Sequence, residues 1–424
     1  MLFVCIPCGS LPGPKNTVKN DAFRPSISSN PALGSLARSR SVLMLQGPVG
    51  PFFDRLTHWL RAQGVAQINR VVFSGGDRWD CKALEPVLFQ QGLDAWPMFL
   101  QNLLLNFRVD CLVLFGQARP HHAKAMVLAS LLGVKVVVLE EGYFRTGFIT
   151  MEQGGVNGYS STLDLYEWQH KAPSLQAEPV PRESIRMGWY SAVHYTCMAL
   201  LGRGFTPYVH HKPTSVPAHA KYFIGSWAKK LLRHIPDHLR ARFLESHAYF
   251  LVPLQFDLDA QISVHSPFSQ NTEFILQVLR SFAEHAPKDN VLVFKQHPMS
   301  RGTDGHWPLI KAVATELGIL QRLRFFTEGR NHRLVQQATG VVTINSTMGL
   351  LALQAATPLC VMGSAVYKNF PGVFQGGLDR FWRAAPLERG YNAGQALQSL
   401  KHLTQLPGSL YAPRSEALAW QLPS

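Results

Sequence analysis

No apolar run in this chain reaches the length of a membrane span, so no segment reads as a transmembrane helix. The opening stretch Met1–Gly9 is apolar but has no basic leader, and does not read as a signal peptide. Cysteine is sparse. Of six residues only Cys5 and Cys8 have metal-like spacing, and no second pair completes a site. Cys81, Cys111, Cys197 and Cys360 read as small core residues in a reducing compartment. Acidic residues are few, 27 against 41 Lys and Arg, which leaves a formal net charge of +14. So basic a chain meets an anionic partner: nucleic acid, an anionic membrane or a phosphorylated substrate. No nucleic-acid motif accompanies the charge, so no nucleic-acid partner is expected. Charged residues make up only 16% and hydrophobic ones 46%, the balance of a well-buried globular protein, and 424 residues suggest two or three domains.

What the chain does have is a repeated strand, turn and helix. Val42–Gln46, Val71–Phe73, Cys111–Phe115 and Val134–Leu139 read as strands, with helices over Phe52–Gln63 and His121–Leu132. A second set follows: strands at Tyr249–Gln255, Asn290–Lys295, Gly340–Asn345 and Pro358–Met362, helices at Asn271–Glu284 and Met348–Ala356. This pattern predicts an α/β fold of two Rossmann-like domains facing a cleft, each on a parallel sheet. The expected boundaries are a disordered tail at 1–40, an N-terminal Rossmann-like domain at 41–180, a basic amphipathic connecting region at 181–247, a C-terminal Rossmann-like domain at 248–385 and a C-terminal helical segment at 386–424. Residues 182–247 hold ten Lys or Arg against three Asp or Glu. Within them Tyr222–Leu244 sets Phe223, Trp227, Leu231 and Leu232 beside Lys229, Lys230 and Arg233. Two readings stand for this stretch: an amphipathic segment on an anionic lipid surface, or a linker helix packed on the protein.

Three strand ends carry chemistry. The Val134–Leu139 strand is followed by Glu140, Glu141 and then Gly142, whose missing Cβ allows a sharp turn. Ligands in open α/β sheets bind beyond the carboxyl ends of strands, so one of these carboxylates can move a proton or attack a sugar carbon. The competing reading is a turn with two solvated glutamates. At Lys295-Gln296-His297-Pro298 a histidine stands at another strand end, where it can bind or protonate a phosphate, with Arg301 adding charge nearby. Asn345-Ser346-Thr347 opens a helix whose first N–H groups lack partners, an arrangement that holds phosphate or simply caps the helix. Gln255 begins a loop with Asp257 and Asp259 that lacks the glycine and distal glutamate of a calcium site. No metal and no cofactor are expected.

Read together, LQGPVGPFF (45–53), FSGGDR (73–78), LEEGYFR (139–145), FLVPLQFDLDAQI (250–262), FKQHPMSRG (294–302), TINSTMGLLAL (343–353) and YKNFPG (367–372) resemble the capsule polysaccharide biosynthesis and export family of KpsS and LipB. The resemblance implies a GT-B-like glycosyltransferase related to bacterial sialyltransferases. It implies transfer of Kdo, an acidic sugar, from CMP-Kdo to a phosphatidylglycerol lipid, beginning the β-Kdo linker of a bacterial capsule. It further implies that Glu141, or Glu140, performs the reaction with retention. His297, aimed by a turn that Pro298 stiffens within the substrate site, would bind the CMP phosphate with Ser346 and Thr347. Asn345, Lys295, Arg301, Gly47, Gly142, Arg145 and Gln255 would complete the substrate site. The enzyme would be cytoplasmic, peripheral to the inner membrane, beside other capsule assembly proteins. The alternatives are a non-catalytic part of the export machinery and a sialyltransferase-like enzyme using another CMP-sugar.

Overall fold

The computed structural model describes residues 26–27, 30–161, 175–177, 180–205, 208, 243–256, 262, 264–297, 300, 305–388 and 390–422. Two mostly parallel sheets carry the architecture, as the strand–helix repeat predicts. The first half contributes β1 (Ser26–Ile27), α1 (Pro31–Ala37), β2 (Ser41–Met44), α2 (Phe52–Ala62), β3 (Gln67–Val72), α3 (Gly75–Asp80), β4 (Val87–Leu88), α4 (Trp96–Asn106), β5 (Cys111–Phe115), α5 (Pro120–Leu131), β6 (Lys135–Glu141) and β7 (Phe148–Gln153). Helix α6 (Glu183–Leu200) follows. The second half runs β8 (Tyr249–Pro253), α7 (Asn271–His285), β9 (Val291–Lys295), α8 (Trp307–Glu316), β10 (Leu323–Phe326), α9 (Asn331–Gln337), β11 (Gly340–Thr343), α10 (Met348–Gln354), β12 (Leu359–Val361), α11 (Leu378–Ala384) and α12 (Gly394–Thr404). The chain closes with β13 (Gln405–Pro407) and β14 (Trp420–Gln421).

The five-stranded sheet has order β10-β9-β8-β11-β12, and the seven-stranded one β13-β7-β6-β5-β2-β3-β4. Both orders reverse beside a central strand, between β8 and β11 and between β2 and β5, which opens a crevice at the strands' carboxyl ends. Four apolar clusters fill the faces of the two sheets. Val137 and Leu139 pack on one side of the first sheet, Val136 and Val138 on the other. That two-sided burial explains the continuous apolar run in β6.

Three expectations are corrected. Residues 31–40 are not a tail: Asn30 caps α1 through Leu33 N–H at 2.9 Å, and Ala32, Leu33 and Leu36 are buried in the core. Residues 386–424 are not only helical. After α12 the chain returns to the first sheet, where β13 pairs antiparallel with β7, while β14 pairs with β1. The first sheet is not wholly parallel either, because β7 turns back on β6 as a hairpin. The segment Tyr222–Leu244 lies outside the described residues except for Phe243 and Leu244. Among the described residues no helix is long and apolar enough to cross a membrane.

Candidate active site

A cleft of about 280 Å³ lies between the two sheets. Every strand that lines it does so from its carboxyl end. From the first half come Phe115 at the end of β5, Gln117 and Ala118 after it, and Glu140, Glu141, Tyr143 and Arg145 from β6 and its turn. From the second half come Gln255 after β8, His297 after β9, and Asn345, Ser346 and Thr347 after β11, joined by His265. The strand-end residues singled out from sequence therefore meet in one place: Glu140, Glu141, Arg145, Gln255, His297, Asn345, Ser346 and Thr347. Gly47, Gly142 and Lys295 do not line the cleft. Pro298 and Arg301 lie outside the described residues, as do Asp257 and Asp259.

The two glutamates sit inside β6, not beyond it. Pairing with β7 extends the strand, setting Glu140 opposite Thr150 and Glu141 opposite Ile149. Successive side chains on a strand leave opposite faces, so the two carboxylates enter different surroundings. Glu141 receives an ion pair from Arg145 at 2.7 Å and a hydrogen bond from the Tyr411 hydroxyl at 3.0 Å. The chain's return to the first sheet delivers that tyrosine. It also brings Gln405, whose Oε1 accepts the Tyr143 N–H at 2.9 Å and whose Nε2 donates to Thr150 at 3.0 Å. Gly142 is required for closeness rather than for an unusual backbone angle, because a Cβ there would run into the Phe148 carbonyl. Gly47 is likewise a packing position, with the Phe53 ring 2.8 Å from where its Cβ would be.

On the Glu140 face stands an acid the sequence did not single out. Glu152 of β7 is 3% exposed. It accepts from the Tyr143 hydroxyl at 2.8 Å and from the Ser160 hydroxyl. The Tyr143 oxygen in turn accepts the Asn157 N–H at 2.7 Å. Burial raises the Glu152 carboxyl from 4.5 to about 7, against the opposing pull of its two hydrogen bonds. The folded chain thus holds this proton more tightly than the unfolded one. Its contribution favours folding fully below the unfolded value and is lost as pH rises through about 7. Glu152→Gln removes that loss. The variant should gain on the native chain between pH 5 and pH 8, by up to ~3 kcal/mol at 1.36 kcal/mol per pH unit. Urea denaturation at the two pH values measures the gain; a stability difference that does not change with pH contradicts it.

The second half presents a hydroxyl corner. Expectation placed unpaired helix N–H groups here, but the structure uses them. Met348 N–H donates to the Ser346 hydroxyl oxygen at 3.2 Å and Gly349 N–H to the Ser346 carbonyl at 2.9 Å. The seven-residue α10 also generates little dipole. The donors left for an anion are therefore hydroxyls. Ser346 accepts through its oxygen and retains its own proton to give, and Thr347 makes no side-chain cap bond. Gln255 and His265 hold this corner in place. Gln255 Oε1 accepts the Asn345 N–H at 3.0 Å, and Asn345 Nδ2 donates to the His265 carbonyl at 2.8 Å.

His265 also ties the corner to the first half. Gln117 exchanges two bonds with the Val156 backbone, receiving its N–H at 3.0 Å and donating to its carbonyl at 2.8 Å. These fix the amide's orientation, so the second Nε2 proton faces His265 Nε2 at 3.3 Å. That ring nitrogen must accept, and the imidazole is neutral. Burial agrees, pulling its pKa down to about 4. Gln117, Tyr143, Asn157 and His265 escaped the sequence reading because nothing local distinguishes them. Only their position brings them to the cleft: Gln117 and Tyr143 just past strand ends, Asn157 after β7 and His265 between β8 and α7.

A family model described as "Capsule polysaccharide biosynthesis protein" matches residues 110–411. The chain is 36% identical over 365 residues to the Capsule polysaccharide export protein KpsS of Escherichia coli, spanning 83% of this chain and 92% of that protein. It is 32% identical over 409 residues to the Capsule polysaccharide modification protein LipB of Neisseria meningitidis serogroup B, spanning 92% and 96%. Among solved structures it is similar to Thermosulfurimonas dismutans KpsC, beta Kdo 2,7 transferase, at 15% identity and a TM-score of 0.39, covering 85% of this chain and 89% of that one.

Proposed function

Because the chain belongs to the capsule polysaccharide biosynthesis protein family, we propose that it is a glycosyltransferase that moves Kdo from CMP-Kdo to a phosphatidylglycerol-type lipid, working peripherally at the cytoplasmic face of the inner membrane. One observation carries this reading: the carboxylates of β6 and the histidine and hydroxyls of the second half line a single cleft. The second half takes the CMP phosphate. Ser346 and Thr347 donate hydroxyl protons to its oxygens, and His297 donates from the end of β9, on the far side of β8. Arg145, paired with Glu141, offsets negative charge where an acidic sugar must enter.

The first half supplies the reacting group. Arg145 and Tyr411 aim the Glu141 carboxylate, which attacks the anomeric carbon of Kdo. As the carbon–oxygen bond to CMP breaks, the phosphate leaves with the bonding electrons, stabilised by the hydroxyl corner. The acceptor hydroxyl then attacks the same carbon and releases the carboxylate, its proton passing to a base. Two inversions leave the configuration retained. Glu140 occupies the neighbouring position as the second candidate.

Nucleotide binding tests the donor side alone. CMP at a hundredfold excess over its dissociation constant should stabilise the protein by about 2.7 kcal/mol, read as a rise in melting temperature. Ser346→Ala with Thr347→Ala should abolish the rise. Equal stabilisation by UDP, or none by CMP, contradicts the assignment.

A further inference from the structure

The outer face of α6 is out of place on a solvated protein. The helix is held from inside. Tyr190 packs on Gly50, where a Cβ would come within 2.8 Å of the ring, and His194 bonds Asp80 at 2.7 Å. The helix lies on α3, again through glycine, since a Cβ on Gly75 would meet the Cys197 carbonyl at 2.7 Å. On the opposite side Ile185, Trp189, Ala192, Thr196, Ala199 and Leu200 fall on one stripe at helical spacing and are exposed. Ile185, Trp189 and Leu200 are 70%, 67% and 75% exposed. No charged residue interrupts the stripe over its roughly four turns. A solvent-facing helix normally carries charge there, and an uncharged stripe with exposed isoleucine, tryptophan and leucine marks a surface that something covers.

We propose that this face of α6 rests on an anionic lipid bilayer and sets the cleft beside it. Three observations favour lipid over a protein partner. First, the sequence that carries the helix is strongly cationic, with ten Lys or Arg against three Asp or Glu in residues 182–247, seven of the ten outside the described residues, and a net charge of +14 overall. Anionic headgroups attract such a charge within a Debye length, whereas apolar contact supplies the rest of the hold. Second, the stripe carries an exposed tryptophan one turn from Ile185, with Leu200 at its far end, and tryptophan settles at the headgroup level of a membrane. Third, the helix adjoins the reacting side of the cleft. Arg186 of α6 donates to the Tyr411 carbonyl at 3.0 Å, and the Tyr411 hydroxyl donates to Glu141 at 3.0 Å. A bilayer against the outer face of α6 therefore lies one helix and one tyrosine away from the carboxylate that a lipid-borne hydroxyl must reach.

The face itself is independent of the transfer reading; the choice of lipid as its occupant rests on that reading. The test is flotation of the full chain with vesicles of phosphatidylcholine containing about one third phosphatidylglycerol, an anionic lipid that attracts basic segments, against vesicles of phosphatidylcholine alone. Native protein is expected to float with the anionic vesicles. Ile185→Glu with Trp189→Glu is expected to cut the floated fraction about tenfold or more while the melting temperature stays unchanged, since both side chains are exposed. Undiminished flotation of the double variant overturns the proposal, because residues 209–242 or another surface then make the contact. A native dimer that the double variant converts to monomer also overturns it, in favour of a second copy. Failure of native protein to float, alongside transfer to detergent-dispersed acceptor, overturns the docking face and leaves the enzyme reading standing. Flotation lost in the variant, with no transfer by either protein, keeps the face and removes the enzyme.

Discussion

Replacing Glu141 by Gln is expected to lower Kdo transfer on the order of 10³-fold while the protein stays folded. The amide preserves size and still accepts the Tyr411 hydroxyl, but it cannot attack an anomeric carbon or carry charge. Its loss of the Arg145 ion pair costs little, because that pair is half in water, with side chains 56% and 34% exposed. Rate and stability therefore separate. Initial rates with CMP-Kdo and a short-chain phosphatidylglycerol, beside a thermal melt, measure both. The same change at Glu140 locates the reacting group. A near-native rate for Glu141→Gln with a collapsed rate for Glu140→Gln moves the nucleophile one residue along β6. Intact capsule in cells carrying both changes would instead support a non-catalytic part in export.

The second large effect belongs to His297. If His297, which lines the cleft after β9, donates to the leaving phosphate as proposed, truncation to Ala removes that donor, and a loss on the order of 10²–10³-fold in turnover is expected. Donation to charge that builds up as CMP departs acts on the transition state more than on the bound donor. Turnover should therefore fall further than the Michaelis constant for CMP-Kdo rises. Ser346→Ala, which removes a hydroxyl also used to cap Met348 N–H, should instead weaken donor binding as well. A His297→Ala enzyme with native turnover, measured at saturating donor, contradicts the assignment.

Much of this was legible in the sequence for a clear physical reason. Strands buried on both faces write themselves as apolar runs, and Val134–Leu139, Cys111–Phe115 and Asn290–Lys295 all proved to be strands. Polar residues directly after such runs fall at the mouth of an α/β crevice, so Glu140, Glu141, His297 and Ser346 could be gathered from the chain alone. What failed was whatever depends on pairing across the chain. β7 has no alternation, being buried on both sides, so its extension of β6 beyond Leu139 to Glu141 was invisible. Glu152 reads as a surface acid until Tyr143 and Ser160 close around it. Tyr411 and Gln405 stand more than two hundred residues from the glutamate hairpin they brace, and no local pattern announces such a return. The first helix is a different case. Asn30 before Pro31, with Ala32, Leu33 and Leu36 at helical spacing, is a cap and an apolar face; the surrounding serines and arginines hid it.

Mass spectrometry of a short-chain phosphatidylglycerol after incubation with the purified protein and CMP-Kdo addresses the joint action of the two halves most directly. Appearance of acceptor heavier by one Kdo residue, with matching release of CMP, is the expected result, absent with Glu141→Gln and His297→Ala. An unmodified lipid in the presence of folded native protein and intact donor would show that the cleft does not catalyse this reaction.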